Sequence, residues 1–142
     1  MDGKKMIAER ESFFGPIISS YSRAQAIEDG TLIEADPELC KELKIIYPVA
    51  ISAGLWKYVD PEYIADMPGQ SVTGRLWDLL SLFVLYAKKN RGDFFKYRCI
   101  FQVKTFIGYK FGYGPEYVTI IARCGPGDAG EPVITLMLPE DD

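Results

Sequence analysis

The chain contains no histidine and only three cysteines in 142 residues. Without an imidazole there is no Ser-His-Asp or Cys-His pair, no HExxH zinc site, and no side chain whose unperturbed pKa lies near neutrality. Catalysis would have to rest on carboxylates, Lys, Tyr or Cys. Cys40, Cys99 and Cys124 are odd in number, widely separated and without a CxxC, so neither a disulfide framework nor a zinc knuckle is expected. Free thiols fit a reducing compartment, and the expected location is cytoplasmic. Long apolar runs are missing too. The longest, Leu76 to Ala87, is twelve residues broken by Asp78 and Ser81, short of the roughly 20 that cross a bilayer. The N-terminus leads into Glu9-Arg10-Glu11 rather than into a signal-peptide core. No membrane contact is expected.

What is present, 48% apolar residues with 16 basic and 20 acidic groups, is the profile of one globular domain over 1–142, with residues 1–12 flexible and order beginning near Phe13-Phe14-Gly15-Pro16. A chain of this length buries enough surface to need neither disulfide nor metal. The net charge of −4 is unevenly spread: residues 75–123 hold nine bases against three acids, while 1–74 and 124–142 are each net −5. A basic middle between acidic ends is either an anion-binding face or a sheet neutralised by its own termini.

Ser22 to Gln25 reads as a capping box for a helix over Arg23–Asp29 that stops at Gly30, with Ala24 and Ile27 turned inward. A short strand follows over Thr31–Ala35. Asp36-Pro37-Glu38 starts a second helix whose apolar side is Leu39 and Leu43, leaving Cys40 on a surface helix. Ile45–Ile51, interrupted by Pro48, reads as an edge strand. Ser52 caps a third helix carrying Leu55, Trp56 and Val59, and 60–69 is a loop or a single turn. The longest helix is predicted from Gly74 or Arg75 to Asn90, capped by Thr73 or Ser71. Its apolar face is Leu76, Leu79, Leu80, Phe83, Tyr86 and Ala87, widened by Trp77 and Val84.

From Phe94 the period falls from 3.6 to 2, predicting strands near 95–104, 117–124 and 132–138, the last two joined by the turn-forming 125–131. The expected fold is α+β: an antiparallel β-meander of three or more strands packed against one long helix, preceded by short helices. Trp77, Leu80, Phe83, Val84, Tyr97, Cys99, Phe101, Ile120, Ile134 and Leu136 are the expected core.

Three segments share a pattern: Ser20-Tyr21-Ser22-Arg23-Ala24-Gln25-Ala26-Ile27-Glu28-Asp29-Gly30, Gly74-Arg75-Leu76-Trp77-Asp78, and the run from Cys124-Gly125-Pro126-Gly127-Asp128 through Glu131-Pro132 to Pro139. Together they resemble a family of small uncharacterised bacterial proteins that carries only a domain-of-unknown-function label and is often found on phages, plasmids and other mobile elements. The resemblance runs from Phe14 to Asp142 and implies no activity, cofactor or site residues. It departs from the family pattern over 105–116, where Phe106, Tyr109, Phe111 and Tyr113 are interleaved with Gly108, Gly112 and Gly114.

That segment is the leading candidate for function. Glycine lowers strand propensity, so part of 105–116 is expected to project from the sheet. Tyr109, Lys110, Phe111 and Tyr113 are the candidate contact residues, with Lys96 and Arg98 on the strand leading in. They would suit a protein partner or a second copy of the chain, or the stacking of single-stranded bases; the structural alternative is an extended hairpin that folds its aromatics onto the core. Secondary candidates are Arg75 and Asp78, which can act jointly on a ligand or merely form an i,i+3 pair or an anchor to another element. Asp128 and Glu131 lie in the Gly-rich turn, where the carboxylates would repel a phosphate. No metal and no cofactor is expected. The first reading is a non-catalytic binding or regulatory accessory protein of a mobile element. The alternative is a nucleic-acid-binding protein using the basic middle, and the third is an enzyme of unknown class.

Overall fold

The computed structural model describes residues 21–142 and, before them, two short parallel-paired strands, β1 (Gly3–Lys4) and β2 (Met6–Ile7). The expectations of flexibility over 1–12 and of order from Phe13 otherwise lie outside the described residues. The chain divides into two compact units, 1–32 and 33–142.

In the first unit, α1 (Arg23–Glu28) begins with the predicted capping box: Ser22 Oγ accepts from Gln25 N–H at 3.0 Å and Gln25 Oε1 from Ser22 N–H at 2.8 Å. Gly30 takes φ 85° just beyond its end. Ala26 is the buried residue. Ala24, expected inward, is exposed, because two residues turn a helix by about 200°. Asp29 accepts from Tyr21 Oη, Thr31 Oγ1 and Thr31 N–H. These hydrogen bonds hold its carboxyl below the ordinary value.

The second unit, with Leu32 at its boundary, carries a five-stranded sheet in the order β3-β4-β7-β6-β5: β3 (Leu32–Glu34), β4 (Val49–Ser52), β5 (Phe94–Ile107), β6 (Lys110–Pro126) and β7 (Pro132–Met137). The last three form the expected antiparallel meander, but the whole sheet is mixed. β4 is not at an edge. It lies between β3 and β7, parallel to β7 with Val49 opposite Ile134 and Ile51 opposite Leu136. Pro48 sits just outside the strand, where its carbonyl accepts from Ile134 N–H at 2.8 Å, so no ladder bond is lost. All four β4 residues are buried, the pattern of a strand covered on both faces.

Helices α2 (Pro37–Glu42), α3 (Ala53–Trp56), α4 (Pro61–Ile64) and α5 (Val72–Ala87) start on Asp36, Ser52, Asp60 and Ser71, each accepting from a backbone N–H in the first turn. Ser71, rather than Thr73, caps the long helix. Leu76, Leu79, Leu80 and Phe83 of α5 pack into one cluster with Phe95, Tyr97, Cys99 and Phe101 of β5. The same cluster takes in Leu39, Cys40, Val49, Ile51 and Leu55, so the core is shared between α5 and the short helices rather than built on one helix alone. Trp77 and Val84 depart from the expected core: Trp77 is 42% exposed and Val84 half-buried. One residue past Leu76 turns the helix by about 100°, which carries Trp77 off the sheet-facing stripe. Cys40 faces the core beside Leu39, not the surface.

The three cysteines are free thiols. Burial, seconded by Asp78, pushes Cys99 from an ordinary 9.0 to about 11, and burial and the Glu116 hydrogen bond push Tyr58 from 10.0 to about 12. The folded chain keeps these protons after the unfolded chain has lost them. Their contribution to stability is therefore fully present below pH 9 and is lost as pH rises through 9 to 12. In a series of thermal melts Cys99→Ala is expected to flatten the fall between pH 9 and 11, whatever it does to the level at pH 7. An unchanged slope would contradict this account.

Candidate functional site

β5 and β6 pair without interruption from Phe94 opposite Arg123 to Ile107 opposite Lys110. Residues 105–116, expected in part to project from the sheet, are two paired strands closed by the two-residue turn Gly108-Tyr109, with Gly108 at φ 67°. Glycine at the first central position is what a type II′ hairpin turn asks for. The interleaved glycines are consistent with strand structure because they fall on one face. Gly112 and Gly114 stand opposite Thr105 and Val103, while Phe111 and Tyr113 stand opposite Phe106 and Lys104 on the other face. Phe106, Phe111 and Tyr113 form an edge-to-face row with ring centroids 5.5 and 6.3 Å apart.

β7 reaches along β6 only as far as Ile121. Beyond it β5 and β6 continue as a two-stranded ribbon, and past Lys104 and Tyr113 that ribbon is an arm. Its tip is apolar and open: Tyr109 is fully exposed, Phe106 71%, Ile107 65% and Phe111 55% exposed.

The base of the arm is fixed by the connector between α3 and α5. Lys104 N–H donates to Tyr63 Oη at 3.0 Å, Lys104 Nζ pairs with Asp66 at 3.0 Å, and Tyr113 Oη donates to the Asp66 carbonyl at 3.2 Å. The lysine holds the Asp66 carboxyl below its ordinary value. Arg75, buried on α5, donates to the carbonyls of Tyr58 (2.6 Å) and Gln102 (2.5 Å) and to Gln70 Oε1 (3.0 Å), with its guanidinium over the Phe101 ring. Gln102 C=O and Lys104 N–H point away from β6, so Arg75 and Tyr63 satisfy the outer edge of β5 there. On the far side Pro115, opposite Gln102, lacks an N–H at a position where none is needed by β5.

The candidate residues thus separate. Tyr109, Lys110 and Phe111 lie at the tip, Tyr113 is part of the tether, and Lys96 and Arg98 are exposed lower on β5. From Arg98 to Ile107 is nine residues, about 30 Å of strand, so the six do not form one patch. Arg98 lies instead over the Tyr117 ring at 5.6 Å. Arg75 and Asp78 are divided as well: the arginine is a buried anchor between elements, and Asp78 points out to solvent. In the 127–131 turn Glu131 Oε1 accepts from Ala129 N–H at 2.9 Å, and its carboxylate fills the space over Gly127. The turn therefore carries its own anion.

Sequence reasoning missed the cleft at the foot of the arm. About 670 Å³ in volume, it is lined by Lys57, Tyr58, Tyr63, Lys104, Glu116 and Glu140 among others. Its polar groups are mostly engaged in holding the fold. Tyr58 Oη donates to Glu116 at 2.6 Å, Asp60 caps α4, and Asp141 accepts from Ser52 Oγ at 2.7 Å. Tyr58 and Tyr63 sit in a non-periodic connector, which leaves no pattern to find them by. Among the described residues no three acidic or cysteine side chains are grouped as a metal ion would require, and no helix is long and apolar enough to cross a membrane.

Residues 11–142 match the model of a family of unknown function (DUF6573). Neither the curated proteins nor the solved structures give a match to the chain.

Proposed function

The chain belongs to the family of unknown function DUF6573, and we propose that within it this protein is a non-catalytic binding protein whose arm tip engages a protein partner. The supporting observation is the tip itself. Phe106, Ile107, Tyr109 and Phe111 stand in solvent on a hairpin tied to Tyr63 and Asp66 at its base, although clustered exposed apolar side chains are costly for a free monomer. Aromatic side chains of this kind are enriched where partners meet. The role as an accessory factor of a mobile element rests on the likeness of its Ser20–Gly30, Gly74–Asp78 and Cys124–Pro139 segments. A cytoplasmic setting rests on the three free thiols.

A second reading has its own support. The outer face of the ribbon runs Phe94, Lys96, Arg98, Ile100, Gln102, Lys104, Phe106 on β5 and Phe111, Tyr113, Pro115, Tyr117, Thr119, Ile121, Arg123 on β6, with no acid of its own, though Asp66 and Asp142 pair with Lys104 and Arg123 at its two ends. A cation beside an exposed aromatic, as Arg98 beside Tyr117, suits single-stranded nucleic acid.

One experiment orders the two. A photo-crosslinking side chain at position 109 is expected to give one discrete protein adduct in cells, while the same group at position 128 gives none. Tyr109→Ser with Phe111→Ser should abolish the association and leave stability within about 1 kcal/mol, as for ordinary surface changes. No adduct, together with a salt-steep oligonucleotide shift that Lys96→Gln and Arg98→Gln remove, would reverse the order.

A further inference from the structure

At the other end of the sheet a smaller cleft of about 290 Å³ opens between β3, α2 and the start of β4, lined by Ala35, Pro37, Ile45, Ile46 and Tyr47. Its walls are apolar, with Ile46 81% exposed, and its one charged lining residue is Glu34. The tip of the arm is the complement in both respects: Phe106, Ile107, Tyr109 and Phe111 are apolar and exposed, and Lys110 is the one charge between 106 and 111. We infer that the arm tip of one copy seats in this end cleft of a second copy, with Lys110 facing Glu34, so that the chain associates head to tail. This rests on the reading of the tip as a contact surface and names what it contacts.

The register rules out the same contact within one copy. Val49, at the rim of the cleft, is level with Ile134, and Ile134 with Cys124. From Cys124 to Lys110 is fourteen residues along β6, about 45 Å of strand. A two-residue turn gives the tip no length with which to fold back. Tip and cleft are different surfaces, so the contact is heterologous, and a bound pair still presents one free tip and one free cleft. Association would extend into a chain or close into a ring.

This topology has a signature that other contacts lack. By sedimentation equilibrium the wild type is expected to gain mass with concentration beyond a dimer. Tyr109→Ser with Phe111→Ser blocks the tip, and Ile46→Asp blocks the cleft; each variant alone should be monomeric, with the association constant down at least tenfold. Mixed, they should form a 1:1 dimer and nothing larger, because one sound cleft and one sound tip remain between them. Ile46 and the tip residues are exposed, and unchanged circular dichroism confirms the fold; Tyr47→Ser is the second cleft variant should Ile46→Asp disturb it. A wild type monomeric at all concentrations overturns head-to-tail association, while the crosslink at position 109 separately decides whether the tip meets another protein. Association lost in the tip variant but kept in both cleft variants overturns the cleft as its receptor.

Discussion

Arg75→Met is expected to lower unfolding free energy by about 3 kcal/mol, a loss in the upper range for a single substitution. The guanidinium is buried and, among the described residues, has no carboxylate partner; its hydrogen bonds go to the carbonyls of Tyr58 and Gln102, to Gln70 and to the Met67 sulfur. Methionine replaces much of the packing over Phe101 but none of the donors, and each carbonyl left without one costs about 1–3 kcal/mol. Burial also draws the Arg75 pKa down, yet an arginine stays charged at every pH at which the protein folds. Lysine is a poor substitute, because one ammonium cannot span the acceptors on Tyr58, Gln70 and Gln102 together. Arg75→Lys should therefore recover less than half of the loss in urea unfolding. A second consequence is specific to the site: with its Gln102 carbonyl uncovered, the edge of β5 is open to pairing, and the variant is expected to aggregate at concentrations where the parent does not. A loss under 1 kcal/mol with no aggregation would mean that water replaces the arginine at no cost.

The same arginine shows what can be read from a linear sequence. Its position at the start of the long helix is legible from Ser71, Thr73 and the apolar spacing after it. Its partners are not, since Tyr58 and Gln102 lie 17 and 27 residues away and contribute backbone carbonyls, which no residue type announces. The capping box at Ser22, the helix starts at Asp36, Ser52 and Ser71 and the three C-terminal strands were legible for the opposite reason: each depends on residues within a turn or a pleat of one another. β4 was misplaced because Pro48 reads as an edge marker, while its central position depends on pairing with β7 more than eighty residues on. The unbroken strand pairing of the arm went unread for a subtler reason. Phe111-Gly112-Tyr113-Gly114 has period 2, the strand period, but glycine counts against a strand in any propensity scale. The structure resolves the conflict by putting all the bare positions on one face, where Thr105 and Val103 lie opposite them.

Leu136→Ala should cost about 3–4 kcal/mol, as for other fully buried leucines whose surroundings collapse only in part. Leu136 is fully buried in β7, with Ile51 of β4 opposite on one side and Ala122 of β6 on the other. It is the point at which the parallel, early part of the sheet joins the antiparallel, late part. A cavity there weakens both halves, because neither β4 nor β6 can move in without leaving its other neighbour. Hydrogen exchange is the measurement that distinguishes this from a local defect. Amides of Val49–Ser52, Ile120–Arg123 and Val133–Met137 should lose protection together and by the same factor, which is how a single cooperative unit responds. Amides in the arm beyond Lys104 and Tyr113 should not change at all. Each arm strand has only one strand neighbour, so its amides are expected to exchange by local opening, fast in the parent and independent of the core. Should the arm slow or quicken with the sheet in Leu136→Ala, it would belong to the cooperative core, and its exposed aromatics would lose their independence as a contact surface.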